Sequence, residues 1–168
     1  QQVELSSPLT SLPFDMEKGT IAMFLVEVLS KTLREEEQNE PMYTFIDQAI
    51  AYYDGFVDCD NDFHLRFLAQ LSRFLGFIPS DHYRPGDFFD VEEGIFTSLM
   101  PGHSRFLNVA DSRLFHTLMK QSVIDPARQF KTTERRVLLD ALMGLYGCHV
   151  PQFGAVKSLS VLREVFDA

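Results

Sequence analysis

The chain has 168 residues, of which 45% are hydrophobic and 23% are charged, and this is the composition of an ordinary globular domain. At this length the chain forms one domain with a short appendage at most, and it can bury about 70% of its unfolded surface. The longest apolar run, Ile21 to Val26, has six residues, whereas a membrane-spanning helix needs roughly 20. Composition therefore excludes a disordered chain, a fibre and a protein that crosses a membrane by a helix.

The net charge of −9 is distributed unevenly along the chain. Residues 1–62 carry 13 acidic and three basic side chains, and the remaining 106 residues carry 11 acidic and 12 basic ones. Because nucleic-acid affinity comes mainly from Lys and Arg that displace counterions, we expect the chain alone to bind DNA poorly. The two cysteines, Cys59 and Cys148, are far apart in sequence, which favours two reduced thiols in an intracellular protein.

Apolar residues recur at helical spacing in three segments of the first half of the chain. We expect each helix to begin at a capping residue or proline and to end at glycine or like charges. The predicted beginnings and ends are Asp15 to the acidic run 35–37, Asn39-Glu40-Pro41 to Asp54-Gly55, and Asp60 or Asn61 to Gly76.

Residues 77–104 have no helical period and contain six Pro or Gly residues. Within them, Phe88 to Phe96 is predicted as a short hairpin with its turn at Glu93-Gly94. Three further helices follow, at Asp111 to about Val123, from Lys131 to Gly147, and from Ser158 onward. The sequence therefore predicts a mostly α fold of six helices with one irregular, partly β insertion.

The usual patterns for metal binding and catalysis are missing from the sequence. The five histidines include no pair at i, i+4 spacing, and there is no CxxC, no phosphate-binding loop and no nucleophile elbow. Residues 58–62 resemble the start of a calcium loop, but the sixth position is Phe63 and the twelfth is Ala69, where Gly and Glu are required. We therefore expect no metal, no cofactor and no enzymatic activity.

The third predicted helix carries a polar stripe formed by Arg66, Gln70 and Arg73 at i, i+4, i+7. An apolar stripe runs beside it and consists of Phe67, Leu71 and Phe74. Arginines beside an apolar groove suit a peptide that brings both an anion and an apolar side chain. The alternative is an ordinary helix with its apolar face in the core and its arginines in solvent.

A second basic feature is residues 105–136, which hold seven basic and three acidic side chains. This excess predicts contacts to a phosphate backbone or to an acidic protein tail, and a solvated basic surface is the alternative. The candidate arginines are Arg105, Arg113, Arg128, Arg135 and Arg136.

Four segments of the chain resemble the RecO family of recombination mediators, in the form found in Bacteroidetes. They cover nearly the whole chain in order and read FDMEKGTIAMFLVEVLSKTLREEEQNEPMYTFIDQAI (14–50), FHLRFLAQLSRFLGFIP (63–79), FDVEEGIF (89–96) and GLYGCHVPQFGAVKSLSVLREVF (144–166). The RFxxxLxxxLG helix and the KSLxVLxxVF element are the most specific of these motifs.

The resemblance implies a bacterial DNA-repair and recombination protein without catalytic chemistry, acting in the RecFOR pathway in the cytoplasm at the nucleoid. RecO proteins anneal strands coated with single-strand-binding protein (SSB) and, with RecR, help load RecA. Their helical domain docks the acidic SSB tail, and Arg66 and Phe67 fall on the matching helix. Arg73 and Phe74 are added from helical spacing, and we expect the arginine head groups to be exposed, so that Arg66→Ala leaves the fold intact.

The resemblance also implies a domain division. Residues 1–13 correspond to the end of an N-terminal OB-fold and its linker, and that OB-fold, where most DNA binding is expected, is missing. Residues 14–168 correspond to the helical domain. Many RecO proteins have a four-cysteine zinc knuckle after the third helix, but residues 60–147 here contain no cysteine, so 77–104 is a degenerate knuckle. The alternative functions are a free-standing helical interaction domain unrelated to repair and, less well supported, a hydrolase.

Overall fold

The structure is a computed structural model that describes residues 8–33, 38–77, 82–124 and 128–167. These residues form two compact units, the first containing residues up to His64 and from Gly154 onward, the second containing Leu65–Phe153. The helices and strands in the described ranges are α1 (Met16–Thr32), α2 (Glu40–Gly55), α3 (Phe63–Leu75), β1 (Phe88–Asp90), β2 (Ile95–Thr97), β3 (Phe106–Leu107), α4 (Val109–Lys120), α5 (Thr132–His149) and α6 (Leu159–Asp167). The predicted mostly α fold is confirmed.

In the first unit, the helix caps are those expected from sequence. The Asp15 carboxylate accepts from the Lys18 backbone N–H (2.9 Å) and begins α1, and the Asn39 side chain accepts from Met42 N–H (3.1 Å) at the start of α2. The inward face of α1 is buried and consists of Ile21, Phe24, Leu25 and Val28. The predicted end of α1 in the acidic run 35–37 lies outside the described residues.

The second unit contains a small sheet, whose strands β1 and β2 lie in the predicted irregular region 77–104 and whose strand β3 follows it. Its strands are antiparallel in the order β2-β1-β3, with Phe89 opposite both Phe96 and Leu107. The hairpin turn contains Gly94 at φ +68°, a conformation that other residues adopt only with strain. The Phe89 ring stacks on Phe115 of α4 with the centroids 4.5 Å apart, so aromatic packing fixes the insertion to the helices. The predicted hairpin is confirmed.

One helix differs from its prediction at both ends. Helix α4 is capped by Asn108, whose side chain accepts from the Asp111 backbone N–H (2.8 Å), so Asp111 lies in the first turn rather than at the cap. The helix ends at Lys120 rather than near Val123. Asn and Asp are about equally good caps, and here the asparagine three residues earlier takes that position. No helix in the described ranges is long and apolar enough to cross a membrane.

Candidate functional site

The polar stripe of α3 binds the carbonyl groups at the end of α4. A helix leaves its last carbonyls without partners inside the helix, and cationic side chains are favoured there. Three α3 side chains donate to backbone carbonyls in the last turn of α4 and just after it. Arg66 donates through Nη2 and Nε to the Val123 carbonyl (3.1 and 3.4 Å). Gln70 Nε2 donates to the Gln121 carbonyl (2.8 Å), and Arg73 Nη2 donates to the Met119 carbonyl (3.1 Å). The stripe therefore ties α3 to the end of α4.

The exposure of the four candidate tail-binding residues divides them into two pairs. Arg66 is 0% exposed and Phe67 is 1% exposed, so neither presents a surface to a ligand in this structure. Arg73 is exposed and Phe74 is half-buried. The expectation that the Arg66 head group is exposed is wrong, because its guanidinium is buried and donates to the Val123 carbonyl.

A sequence signal for this burial exists in α3 itself. The apolar residues of α3 extend beyond the stripe of Phe67, Leu71 and Phe74, and such a wide apolar face packs into the core. Leu65, Leu68 and Ala69 flank Arg66 in sequence, and all three are fully buried. Arg66 stands inside this apolar run, and that position, rather than its i, i+7 spacing to Arg73, predicts an internal partner.

The five arginines of the basic segment differ in what their guanidinium groups contact. Arg128 forms an ion pair with Glu134 (2.8 Å), and half-buried Arg135 donates to the Phe130 carbonyl (2.5 Å). Arg105 is largely exposed and lies 3.8 Å from a Glu92 oxygen. The remaining two, Arg113 and Arg136, are exposed. The basic segment is therefore not a single uniform cationic surface.

A polar cluster lies where the resemblance places the degenerate zinc knuckle. His103 Nε2 is 3.1 Å from an Asp90 oxygen, and His103 Nδ1 accepts from the Arg105 backbone N–H (3.1 Å). Because Nδ1 accepts, the imidazole N–H is at Nε2 and donates to Asp90. This pair ties the loop after β2 to β1 by a direct hydrogen bond. Within the described ranges no group of three or more His, Cys, Asp or Glu is arranged to hold a metal.

Two carboxylates that sequence reasoning passed over fix the first unit. Asp54, at the end of α2, accepts from the backbone N–H groups of residues 10, 11 and 12 at 2.7–2.8 Å. Burial alone would raise the Asp54 pKa, but these three donors outweigh it and hold that pKa well below its usual value. The carboxylate thereby fastens the segment preceding α1.

Glu27 of α1 makes a similar bond set at the start of α6. Its carboxylate accepts from Ser158 Oγ (2.5 Å), from Ser158 N–H (2.8 Å) and from Lys157 N–H (2.7 Å). The hydrogen bonds from Ser158, followed by the one from Lys157, lower the Glu27 pKa to about 2. A negative charge at a helix N-terminus is favourable, so Glu27 acts as a tertiary cap for α6.

The half-buried Cys59 has the environment of a structural thiol. Its Sγ lies 3.7 Å from the Tyr53 hydroxyl, and burial is the main cause that raises the thiol pKa to about 11. Thiolate is the reactive form of cysteine, so Cys59 is protonated and inert near neutral pH.

Comparison with known families identifies the family of this chain. The family described as "Recombination protein O C terminal" matches residues 13–159, which is most of the chain. The chain belongs to the RecO family. Bacteroides fragilis has a relative named DNA repair protein RecO that is 38% identical over 165 residues, covering 96% of this chain and 68% of the relative.

Other RecO relatives give the same coverage. The DNA repair protein RecO of Flavobacterium johnsoniae is 32% identical, and the match covers 99% of this chain and 69% of that relative. The DNA repair protein RecO of Porphyromonas gingivalis is 29% identical, and the match covers 99% of this chain and 70% of that relative. No solved structure matches the chain. The RecO assignment argues against a helical interaction domain unrelated to repair.

Proposed function

We propose that this chain is the helical protein-interaction domain of a bacterial mediator of DNA repair and homologous recombination. The family match over residues 13–159 carries this proposal. The mediator would act at the nucleoid, with RecR and RecA as partners in strand annealing and recombinase loading. It would work by docking proteins and nucleic acid rather than by covalent chemistry, and most DNA binding would fall to a preceding domain.

The docking surface for the acidic SSB tail is proposed at the C-terminal end of α3. Arg73 is exposed there, and its guanidinium is held in place by the Met119 carbonyl (3.1 Å). Phe74, in the same last turn of α3, is half-buried. An oriented guanidinium beside an apolar surface fits a peptide whose last residue supplies a carboxylate and a ring. Arg66 and Phe67 would support this helix from inside.

The exposed arginines of the 105–136 segment form the second proposed contact surface. Arg113 and Arg136 are exposed on α4 and α5, and Arg105 extends from the loop before β3. These side chains would bind the acidic stretch of the tail or a phosphate backbone. Arg135 contributes less to this surface because it is half-buried, and Arg128 contributes less because its ion pair with Glu134 offsets its charge.

Calorimetric titration with a peptide that ends in an acidic stretch followed by Pro-Phe tests the docking proposal. We expect Arg73→Ala to weaken binding by about 1–3 kcal/mol, the range for losing a charge-assisted contact. Arg84→Ala is the matched control, because this arginine is exposed in the same unit but lies outside both proposed surfaces. Unchanged affinity in Arg73→Ala with a loss in Arg113→Ala would move the tail to the basic segment. Failure of the wild-type chain to bind the peptide would refute tail docking by this chain.

A further inference from the structure

Helix α1 is apolar on both of its sides. Its inward face is buried in the first unit, as described above. Its outward face carries Met16, Met23 and Val26, which are 81%, 61% and 65% exposed, and Phe14 just before the helix is 87% exposed. Their spacing of i, i+7 and i+10 puts the three helical residues on one stripe opposite the core.

This outward stripe has almost no charge to keep it in water. Gly19 and Ser30 are the other residues on its line, and Glu27 stands at its edge. The Glu27 carboxylate is bound to Lys157 and Ser158, so it does not serve the solvent-facing stripe. Helices that are apolar all round are buried, and contiguous exposed apolar patches mark interaction sites.

The chain entering α1 is held against the first unit beside this stripe. Asp54 accepts hydrogen bonds from residues 10, 11 and 12, and the buried Lys18 ammonium donates to Ser11 Oγ (3.0 Å) and to the Phe56 carbonyl. The direction of the incoming chain is therefore fixed close to Phe14. Whatever precedes it is held near the stripe at a high effective concentration.

The relatives supply the length of chain needed to cover the stripe. The matched region is described as the C-terminal region of the family, and this chain accounts for 68–70% of these relatives' own lengths. We infer that, in the longer protein, the domain preceding this chain packs an uncharged apolar surface onto the α1 stripe of Phe14, Met16, Met23 and Val26. This interface would hold the helical domain and the preceding domain together as one rigid body, rather than leaving them joined only by a flexible linker.

Cysteine labelling of the chain and of its longer form tests this interface. Met23→Cys is introduced into both, and its alkylation rate is measured by mass spectrometry at low protein concentration. We expect the rate to fall at least tenfold in the longer form. Leu99→Cys is the control, because Leu99 is highly exposed in the second unit, and its rate should change less than twofold. Equal Met23→Cys rates in both forms would overturn the inference.

A second measurement separates this occupant from a second copy of the chain. The double variant Met23→Glu/Val26→Glu should leave the melting temperature of the chain alone within about 2 °C, since exposed substitutions change stability little. The same variant should lower that of the longer form by several degrees. An unchanged melting temperature in the longer form refutes the inference. The inference is also refuted if sedimentation shows a dimer of the chain and the Met23→Cys alkylation rate falls as the protein concentration rises.

Discussion

Replacing Arg66 with alanine should destabilise the chain strongly. Arg66 is one of the largest fully buried side chains in the described ranges, and its guanidinium binds the Val123 carbonyl through two nitrogens. The substitution removes this charge-assisted interaction and leaves a void in a close-packed region. It also leaves the Val123 carbonyl without that donor, in the segment just after α4.

The magnitude follows from those separate losses. A hydrogen bond to a charged group contributes about 1.5–3 kcal/mol, and truncating a large buried side chain to alanine costs about 2–5 kcal/mol. Because the two effects overlap and removing a buried cation saves its desolvation, we expect a net loss of about 3–5 kcal/mol for Arg66→Ala. Arg66→Met keeps the apolar stem and should cost only about 1–3 kcal/mol.

Thermal unfolding followed by far-ultraviolet circular dichroism measures these losses. In a chain of this size 1 kcal/mol lowers the melting temperature by about 2–4 °C, so Arg66→Ala should melt roughly 6–20 °C below wild type. Arg113→Ala is the matched control: it is an exposed arginine of the same unit, and its effect should stay within about 0.5 kcal/mol. An Arg66→Ala protein that melts within a degree of wild type would refute the structural role given to Arg66.

Three further predictions concern pH, backbone and nucleic acid. Glu27 and Asp54 have pKa values below those of the same groups in an unfolded chain, so their carboxylates stabilise the fold at higher pH. This contribution to the free energy of unfolding should be lost as pH falls below about 4. The loss of stability between pH 5 and pH 2 should therefore be smaller in Glu27→Gln and in Asp54→Asn. Gly94→Ala should cost about 1–2 kcal/mol by urea unfolding, because its φ is +68°; Gly55→Ala, which meets open space, is the control. Single-stranded DNA should bind the chain only weakly in fluorescence anisotropy at physiological salt, and submicromolar affinity would contradict the argument from net charge.

Helix positions could be predicted from sequence because their signals are local. Asp15 and Asn39 cap the helices they were expected to cap, and Gly94 lies in the predicted hairpin turn. Such residues act on backbone groups within a few positions. The start of α4 differs from its prediction only because two good capping residues, Asn108 and Asp111, stand three positions apart.

The roles of charged side chains could not be predicted in the same way, because their partners are distant in sequence. Arg66 and Val123 are separated by 57 positions, Asp54 and Ser11 by 43, and Glu27 and Ser158 by 131. Periodicity places a side chain on a helix face, but it does not reveal which backbone groups another segment brings to that face.

The buried arginine therefore changes how a basic stripe on a helix should be interpreted. Of the two arginines at i, i+7 on α3, Arg66 is buried and Arg73 is accessible. The residues that flank each arginine in sequence account for this difference. Arg66 is surrounded in sequence by fully buried Leu65, Phe67 and Leu68, whereas Arg73 precedes half-buried Phe74 near the helix end. A cation inside an apolar run must find an internal acceptor to offset its desolvation, while a cation at a helix end can bind a neighbouring carbonyl and still remain open to a ligand. On this reasoning the search for a tail-binding site on α3 begins at Arg73, and a loss of binding in an Arg66 variant reports first on folding.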